Sequence, residues 1–372
     1  MRCSFPAEPA GLTSLRGANP VSKDENMNLL AQITRYKYLI SVLLAAVLAG
    51  CLLFCSAFAT PRDTAAESAP VGSLATAGAE PIQPIPQSIE LDSQKVALGK
   101  RLFHDPLLSH DNTISCSSCH DLSKGGTDAR VHSIGINHAE GGINAPTVLN
   151  SGLNYKQFWN GRAATLEDQV EGPTQHPKEM GSTWPEILEK LRGNADYAAA
   201  FKASYADGVQ RENVKNAIAT YERSLITPNS PFDRYLRGEA SAISEEAKRG
   251  YQTFKAYGCS SCHQGVNIGG NMFQKMGVMA DYFTSRGNTT EADWGRYNVT
   301  KQERDRYMFR VPTLRNIART GPYFHDGSAC SLDAAVAVMA QYQLGRPIDT
   351  DKVHGIVAFL NTLNGEYDGG RP

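Results

Sequence analysis

The chain has almost no net charge: 37 lysines and arginines stand against 38 aspartates and glutamates, a formal balance of −1. A protein that holds nucleic acid through bulk electrostatics needs a positive excess, so no nucleic-acid partner is expected. Alternating apolar and polar runs of the kind a half-buried strand requires are scarce, which leaves little room for β structure. The hydrophobic fraction of 41% and aromatic fraction of 8% match neither a disordered chain nor a multi-span membrane protein. What remains is a globular body, and 372 residues suffice for two domains with separate cores beside an N-terminal leader.

One long apolar run is present. Tyr38 to Ala59 is uncharged and follows Arg35 and Lys37, the pattern of an export signal. Met27 is the better start, because residues 1–26 add only polar, Pro- and Gly-containing sequence, and residues 1–59 are read as leader. Three fates stay open: cleavage after Ala57-Phe58-Ala59, retention as a single membrane anchor over residues 38–59, and lipidation at Cys51. The last is weakest, since Leu52 to Ala59 stays apolar where a polar tether is expected. Each fate places the body in the periplasm, either soluble or anchored to the inner membrane. Residues 60–88, rich in Ala, Pro, Ser and Gly without a helical or strand period, read as a flexible linker.

Beyond the linker the pattern is helical. Val96, Leu98, Leu102 and Phe103 share one face of a helix starting near Ser93, and Ala247, Tyr251 and Phe254 mark another. Further helical patterns cover Trp184 to Leu191, Asn213 to Leu225, Leu332 to Gln341 and Val353 to Leu363. The first two helices share Gly-x-x-x-Phe, at Gly99 to Phe103 and Gly250 to Phe254, and each precedes a cysteine motif, a weak internal repeat. The Pro228-Asn229-Ser230-Pro231 turn and the polar stretch at Gly238 to Ser244 divide the body into residues 89–238 and 239–372. The expected fold is mainly α, in two helical domains.

Eight cysteines in an exported chain would suggest disulfides, but Cys3, Cys51 and Cys55 lie in the leader and four others form two identical strings. These are Cys116-Ser-Ser-Cys119-His120 and Cys259-Ser-Ser-Cys262-His263. Cysteines three apart share one face of a helical turn and reach both vinyl groups of a haem, and the adjacent histidine meets the iron. A zinc site needs two close pairs without the fixed trailing histidine, and a thioredoxin-like site needs a βαβ setting. Two covalently attached haems c are expected, one in each of two cytochrome c-like helical domains, with His120 and His263 as proximal ligands. Cys330 is read as a small buried hydrophobe. The residues alone leave the sixth iron ligands open among Met180, Met272, Met276, Met279, Met308 and Met339.

Seven strings from about Ile89 to Leu363 give the chain a family likeness. They are Leu98-Gly99-Lys100-Arg101-Leu102-Phe103, Asn144-Ala145-Pro146-Thr147, Phe158-Trp159-Asn160-Gly161-Arg162-Ala163, Lys178-Glu179-Met180, Leu225-Ile226-Thr227-Pro228, Pro322-Tyr323-Phe324-His325 and Ala335-Val336-Ala337-Val338-Met339. In these the chain resembles the bacterial dihaem cytochrome c peroxidase and MauG family.

The resemblance implies a peroxidase that reduces hydrogen peroxide at the N-terminal haem with electrons collected by the C-terminal haem from a small donor, a cytochrome c or a cupredoxin. It implies Met339 as the second ligand of the C-terminal iron, where a tyrosine would have suggested the MauG branch. At the N-terminal haem it implies Glu179 as acid/base, with Gln169 as companion. Trp159 is implied as the aromatic link between the haems, and Asn144, Thr320 and Pro322 as ligands of one calcium ion. A homodimer is a further implication. One departure is clear: where blocked members carry a ligating histidine the chain has Ile136, flanked by His132 and His138, so an iron open at rest is expected. The competing readings are a MauG-like oxidase that modifies a partner protein and a non-catalytic dihaem electron-transfer cytochrome.

Overall fold

The computed structural model describes residues 80–367. The Tyr38–Ala59 run, Cys51 and the leader lie outside them. Among the described residues no helix is long and apolar enough to cross a membrane. The body is mainly helical, and its one two-stranded sheet is small.

Helix α1, Ser93–His104, starts where Asp92 accepts bonds from the amides of Gln94 and Lys95. Its buried residues Val96, Leu98, Gly99, Leu102 and Phe103 recur at helical spacing. Helix α2, Leu166–Gln175, is capped by Thr165, and α3, Trp184–Gly193, by Thr183. After α4, Ala195–Ser204, comes α5, Arg211–Ser224, the helix on which α1 packs. A first core joins Leu98 and Leu102 to Ile187, Leu191, Phe201 and Ile218. Each such side chain contributes about 1.5–3 kcal/mol by leaving water.

Helix α6 is Pro231–Leu236, α7 is Glu245–Tyr257, α8 is Leu332–Val338 and α9 is Thr350–Asn361. Here α7 packs on α9 around a second core of Phe232, Tyr251, Phe254, Ile268, Phe359 and Leu363. Strands β1, Phe273–Lys275, and β2, Met308–Arg310, run antiparallel with Gln274 opposite Phe309.

The Gly-x-x-x-Phe repeat is a helix crossing made twice. A Cβ on Gly99 would lie 1.9 Å from the Ala217 carbonyl oxygen of α5, and one on Gly250 would lie 1.8 Å from that of Gly355 on α9. Only glycine lets the backbones approach so closely.

Several elements depart from the sequence reading. Gly172 and Pro173 interrupt the periodicity of α2, and the alanine-rich α4 has no sharp apolar face, so neither pattern stood out. The turn taken as a boundary instead starts a helix: Ser230 caps α6, Pro231 takes its first position, and Phe232 enters the second core. The expected linker ends as packed chain, with Ile82 and Ile85 buried against the C-terminal half. Its prolines hide the absence of a period, because an extended strap needs none. Cys330 is exposed rather than buried, in the turn just before the Ser331 cap of α8.

Candidate functional site

Cys116–Cys119 form one helical turn that Ser115 caps, with Ser118 returning a bond to the Ser115 amide. The turn aims both thiols to one side, and both cysteines are free. Burial raises the Cys116 thiol to about 12, helped by the Glu222 carboxylate, and raises Cys119 as well. His120 holds its Nδ1 3.2 Å from the Gly126 carbonyl oxygen, which leaves Nε2 for a ligand. Burial lowers its pKa, so the ring is neutral and competent to bind a metal.

The second motif repeats this with a 3₁₀ turn at Cys259–Ser261. His263 Nδ1 lies 3.3 Å from the Ile268 carbonyl oxygen, and burial takes its pKa down to about 4. Cys259, Cys262 and His263 line a cavity with an empty volume of about 1670 Å³, open mouth included. Met339 borders the same cavity, at the start of a π-helical turn, Met339–Gln343, that continues α8. Two free thiols, a neutral histidine oriented by a carbonyl, a thioether and walls such as Val311, Leu314, Ile356 and Leu360 fit a haem c, which the thiols would attach and the histidine and thioether would ligate.

Trp159 also lines this cavity. Its indole Nε1 donates to the Asn144 carbonyl oxygen at 2.9 Å, and its ring meets His325 edge-on at 6.3 Å. The Asn144 amide donates in turn to the His325 carbonyl at 2.8 Å. Thr320 and Pro322 border the cavity together with Asn144, so the three residues expected at calcium lie in one wall. The Asn144 side chain already uses its Nδ2 on the Arg130 carbonyl at 2.8 Å, which leaves its oxygen as the donor for a cation.

Near the first motif, α2 ends in a turn that carries Glu179. The Glu179 amide donates to the His176 carbonyl at 2.9 Å, and the Gly181 amide reaches the same oxygen. Ile136 braces this turn from outside: its amide donates to the Glu179 carbonyl at 2.9 Å, and a Cβ on Gly181 would meet its Cδ1 at 2.2 Å. Burial raises the Glu179 pKa, against the pull of His176 and Arg162. Its Oε1 stands 3.5 Å from His176 Nδ1, and its charge is felt at Cys119. Gln169 is half-buried on α2, one turn before Gly172, where the helix touches Phe158. Arg162, whose guanidinium carbon lies 3.3 Å from the centre of the Phe158 ring, joins the group.

Of the flanking histidines, His138 is exposed and His132 binds Glu140 at 3.1 Å, while Ile136 is buried. The structure adds residues that no motif indicated: the Gly126 and Ile268 carbonyls that orient the histidines, and Ser133, which bonds Cys119. A buried cluster of Asp293, His325 and Asp326 has the make-up of a metal site, but Arg286 fills it, clasping Asp293 through both nitrogens and also pairing with Asp326.

Known proteins resemble this chain over most of its length. Residues 93–241 match the family model described as di-haem cytochrome c peroxidase. The chain is 45% identical over 360 residues to cytochrome c peroxidase Ccp of Escherichia coli (strain K12), covering 96% of this chain and 71% of that protein. It is 47% identical to cytochrome c551 peroxidase of Nitrosomonas europaea, covering 77% and 85%, and 33% identical to methylamine utilization protein MauG of Methylorubrum extorquens, covering 76% and 82%. Among solved structures, a MauG-like protein associated with microbial copper homeostasis superposes with a TM-score of 0.66 at 29% identity, over 77% of this chain and 94% of that one. The chain therefore belongs to the di-haem cytochrome c peroxidase family.

Proposed function

We propose that this protein is a periplasmic cytochrome c peroxidase that converts hydrogen peroxide, two protons and two electrons into two waters, the electrons coming from a small cytochrome c or cupredoxin. The observation that carries this reading is Glu179: a half-buried carboxyl with a raised pKa, on a braced turn within electrostatic reach of Cys119. Cys116, Cys119 and His120 would hold one haem, and Cys259, Cys262, His263 and Met339 the other. Bound haem supplies the redox-active iron at each site.

The protein's part is proton handling and electron delivery. Peroxide must lose a proton from one oxygen and gain one on the oxygen that leaves as water. A carboxyl held above its ordinary pKa by burial is suited to both, because it accepts and returns a proton more evenly than an exposed one. Gln169 is assigned as the neutral companion that orients the peroxide. Met339 gives the second haem a thioether, which raises its potential relative to a second imidazole and suits it to collect electrons. Trp159, in the wall of the cavity that His263 lines and bonded to Asn144, is assigned as the aromatic link toward the first site. Asn144, Thr320 and Pro322 would hold a calcium ion through oxygen atoms. A methionine at position 339 favours peroxide reduction over oxidation of a partner protein, and Glu179 favours catalysis over electron transfer alone.

Glu179→Gln should lower peroxide turnover by roughly 100-fold or more, the usual scale for a positioned proton shuttle, without changing haem content. Steady-state assays with a reduced cytochrome c check this. Near-normal turnover in a fully loaded variant would remove Glu179 from the mechanism.

A further inference from the structure

The segment before α1 does not leave the body at residue 88. The Gly265 amide, two residues beyond His263, donates to the Pro81 carbonyl at 2.7 Å, and Ile82 pairs with Gly265 as a parallel bridge. Ile82 and Ile85 are 1% and 0% exposed, so residues 81–85 form a seated strap. Beneath it lies Arg315, itself 1% exposed. Its Nη1 donates to Asp233 Oδ1 at 2.7 Å, its Nη2 to the Gln83 carbonyl at 2.8 Å, and its Nε and Nη2 to the Val266 carbonyl at 3.0 and 2.9 Å. Asp233 also takes the Ile85 amide at 3.2 Å and the Ser230 hydroxyl at 2.8 Å.

This clamp joins the segments that meet the His263 ring. The Ile268 carbonyl receives both His263 Nδ1 at 3.3 Å and the Leu314 amide at 3.2 Å, and the Pro312 carbonyl bonds the same imidazole. Arg315 follows Leu314 directly, and through Val266 it holds the loop that runs from His263 to Ile268. We propose that Arg315, locked by Asp233 and by the 81–85 strap, is a positioning residue for His263, fixing the carbonyl that sets the imidazole. The proposal rests on His263 being the proximal haem ligand. Lysine cannot replace the arginine, because one ammonium cannot serve Asp233, Gln83 and Val266 in a single plane as the guanidinium does. His120 is also set by two carbonyls, those of Gly126 and Pro146, and Gly126 accepts from the Val148 amide, but among the described residues no arginine bonds the loop from His120 to Gly126. The first haem is therefore an internal control.

A carbonyl accepting from Nδ1–H makes the imidazole a stronger donor and favours ferric iron, so loosening that contact should raise the potential. The test is a redox titration of the full-length holoprotein as Arg315→Lys and, separately, as Ile82→Asn, which unseats the strap and leaves Arg315 intact. In both, the C-terminal haem should shift upward by about a tenfold change in its reduced-to-oxidised ratio, about 59 mV for a one-electron couple. The N-terminal haem should not move. An unchanged C-terminal potential, or an equal shift of both haems, would overturn the proposal. Hydrogen exchange on the wild-type holoprotein tests it independently of either variant: the Gly265 amide should be protected, and exchange at the rate of an open loop would also overturn it. A His263→Gly variant keeps the two readings apart, since a C-terminal haem spectrum unaffected by it would sink the ligand assignment itself.

Discussion

In the N-terminal half Gly99 of α1 meets the Ala217 carbonyl of α5, and Phe103 meets Tyr221 edge-on at 5.3 Å. In the C-terminal half Gly250 of α7 meets the Gly355 carbonyl of α9, and Phe254 meets Phe359 at 5.2 Å. Glycine and aromatic stand four apart on all the helices but α5, where alanine takes the glycine's place, so one helical turn of the same joint occurs twice. One residue further the halves part. The first has Glu222, 5% exposed, and the second has Leu360, 4% exposed, in the wall of the cavity that His263 lines. Burial pushes the Glu222 carboxyl up to about 8. The joint is a packing solution that both halves share, while the residues beside it carry the chemistry that separates them.

The largest test of this comparison removes one motif at a time. Cys116→Ala with Cys119→Ala, and Cys259→Ala with Cys262→Ala, should each leave a protein with one covalent haem by mass spectrometry and no donor-driven peroxide turnover. Only the second variant should still bind cyanide readily, because its first site is intact. A wild-type chain carrying fewer than two haems would break the comparison at its root.

The next effect is spectroscopic. Ile136 is buried, its amide bonded to the Glu179 carbonyl and its side chain without a ligand atom, while Met339 lines the same cavity as His263. Electron paramagnetic resonance of the oxidised protein should show a high-spin signal from the first haem and a low-spin signal from the second. Two low-spin signals, one of them lost in His138→Ala or His132→Ala, would show that a histidine blocks the first site after all.

The shared joint should answer equally in both halves. Gly99→Ala and Gly250→Ala each force a Cβ into a facing carbonyl and should cost about 1–3 kcal/mol, read by denaturant unfolding. If one is tolerated, the two crossings are not equivalent.

The last test concerns Glu222. Its carboxyl keeps a proton up to about pH 8 in the folded protein but loses it near the ordinary value of 4.5 when unfolded. Between these values the folded state binds more protons, so stability falls as pH rises through that window. Glu222→Gln should flatten this decline, whereas Leu360→Met in the other half should leave the slope unchanged. Thermal unfolding between pH 5 and about pH 8.5 reads the difference.

Much of this was legible in the residues. The periodic apolar positions of α1, α3, α5, α7 and α9 place the helices to within a few residues, because a helix that buries one face must repeat at 3.6. Elements held by long-range contacts were not legible. The 81–85 strap has no period to detect, since its burial depends on Gly265 and Arg315, more than 170 residues away. Helix α6 was hidden in a string whose prolines suit a turn or a helix start equally well. Glu179, Gln169 and Met339 were reached through family strings, since a single carboxylate or thioether carries no local mark of its setting.

By itself the sequence determined the two Cys-x-x-Cys-His turns, the helical class and the repeated glycine crossing, because each is written within a few consecutive residues and obeys local geometry. The tertiary structure decided which carbonyl orients each histidine, that Ile136 braces the Glu179 turn, and that residues 81–85 lock onto Arg315 and Asp233. Those contacts join segments far apart in the chain, and only folding, which gathers their hydrogen bonds in places closed to water, brings them together.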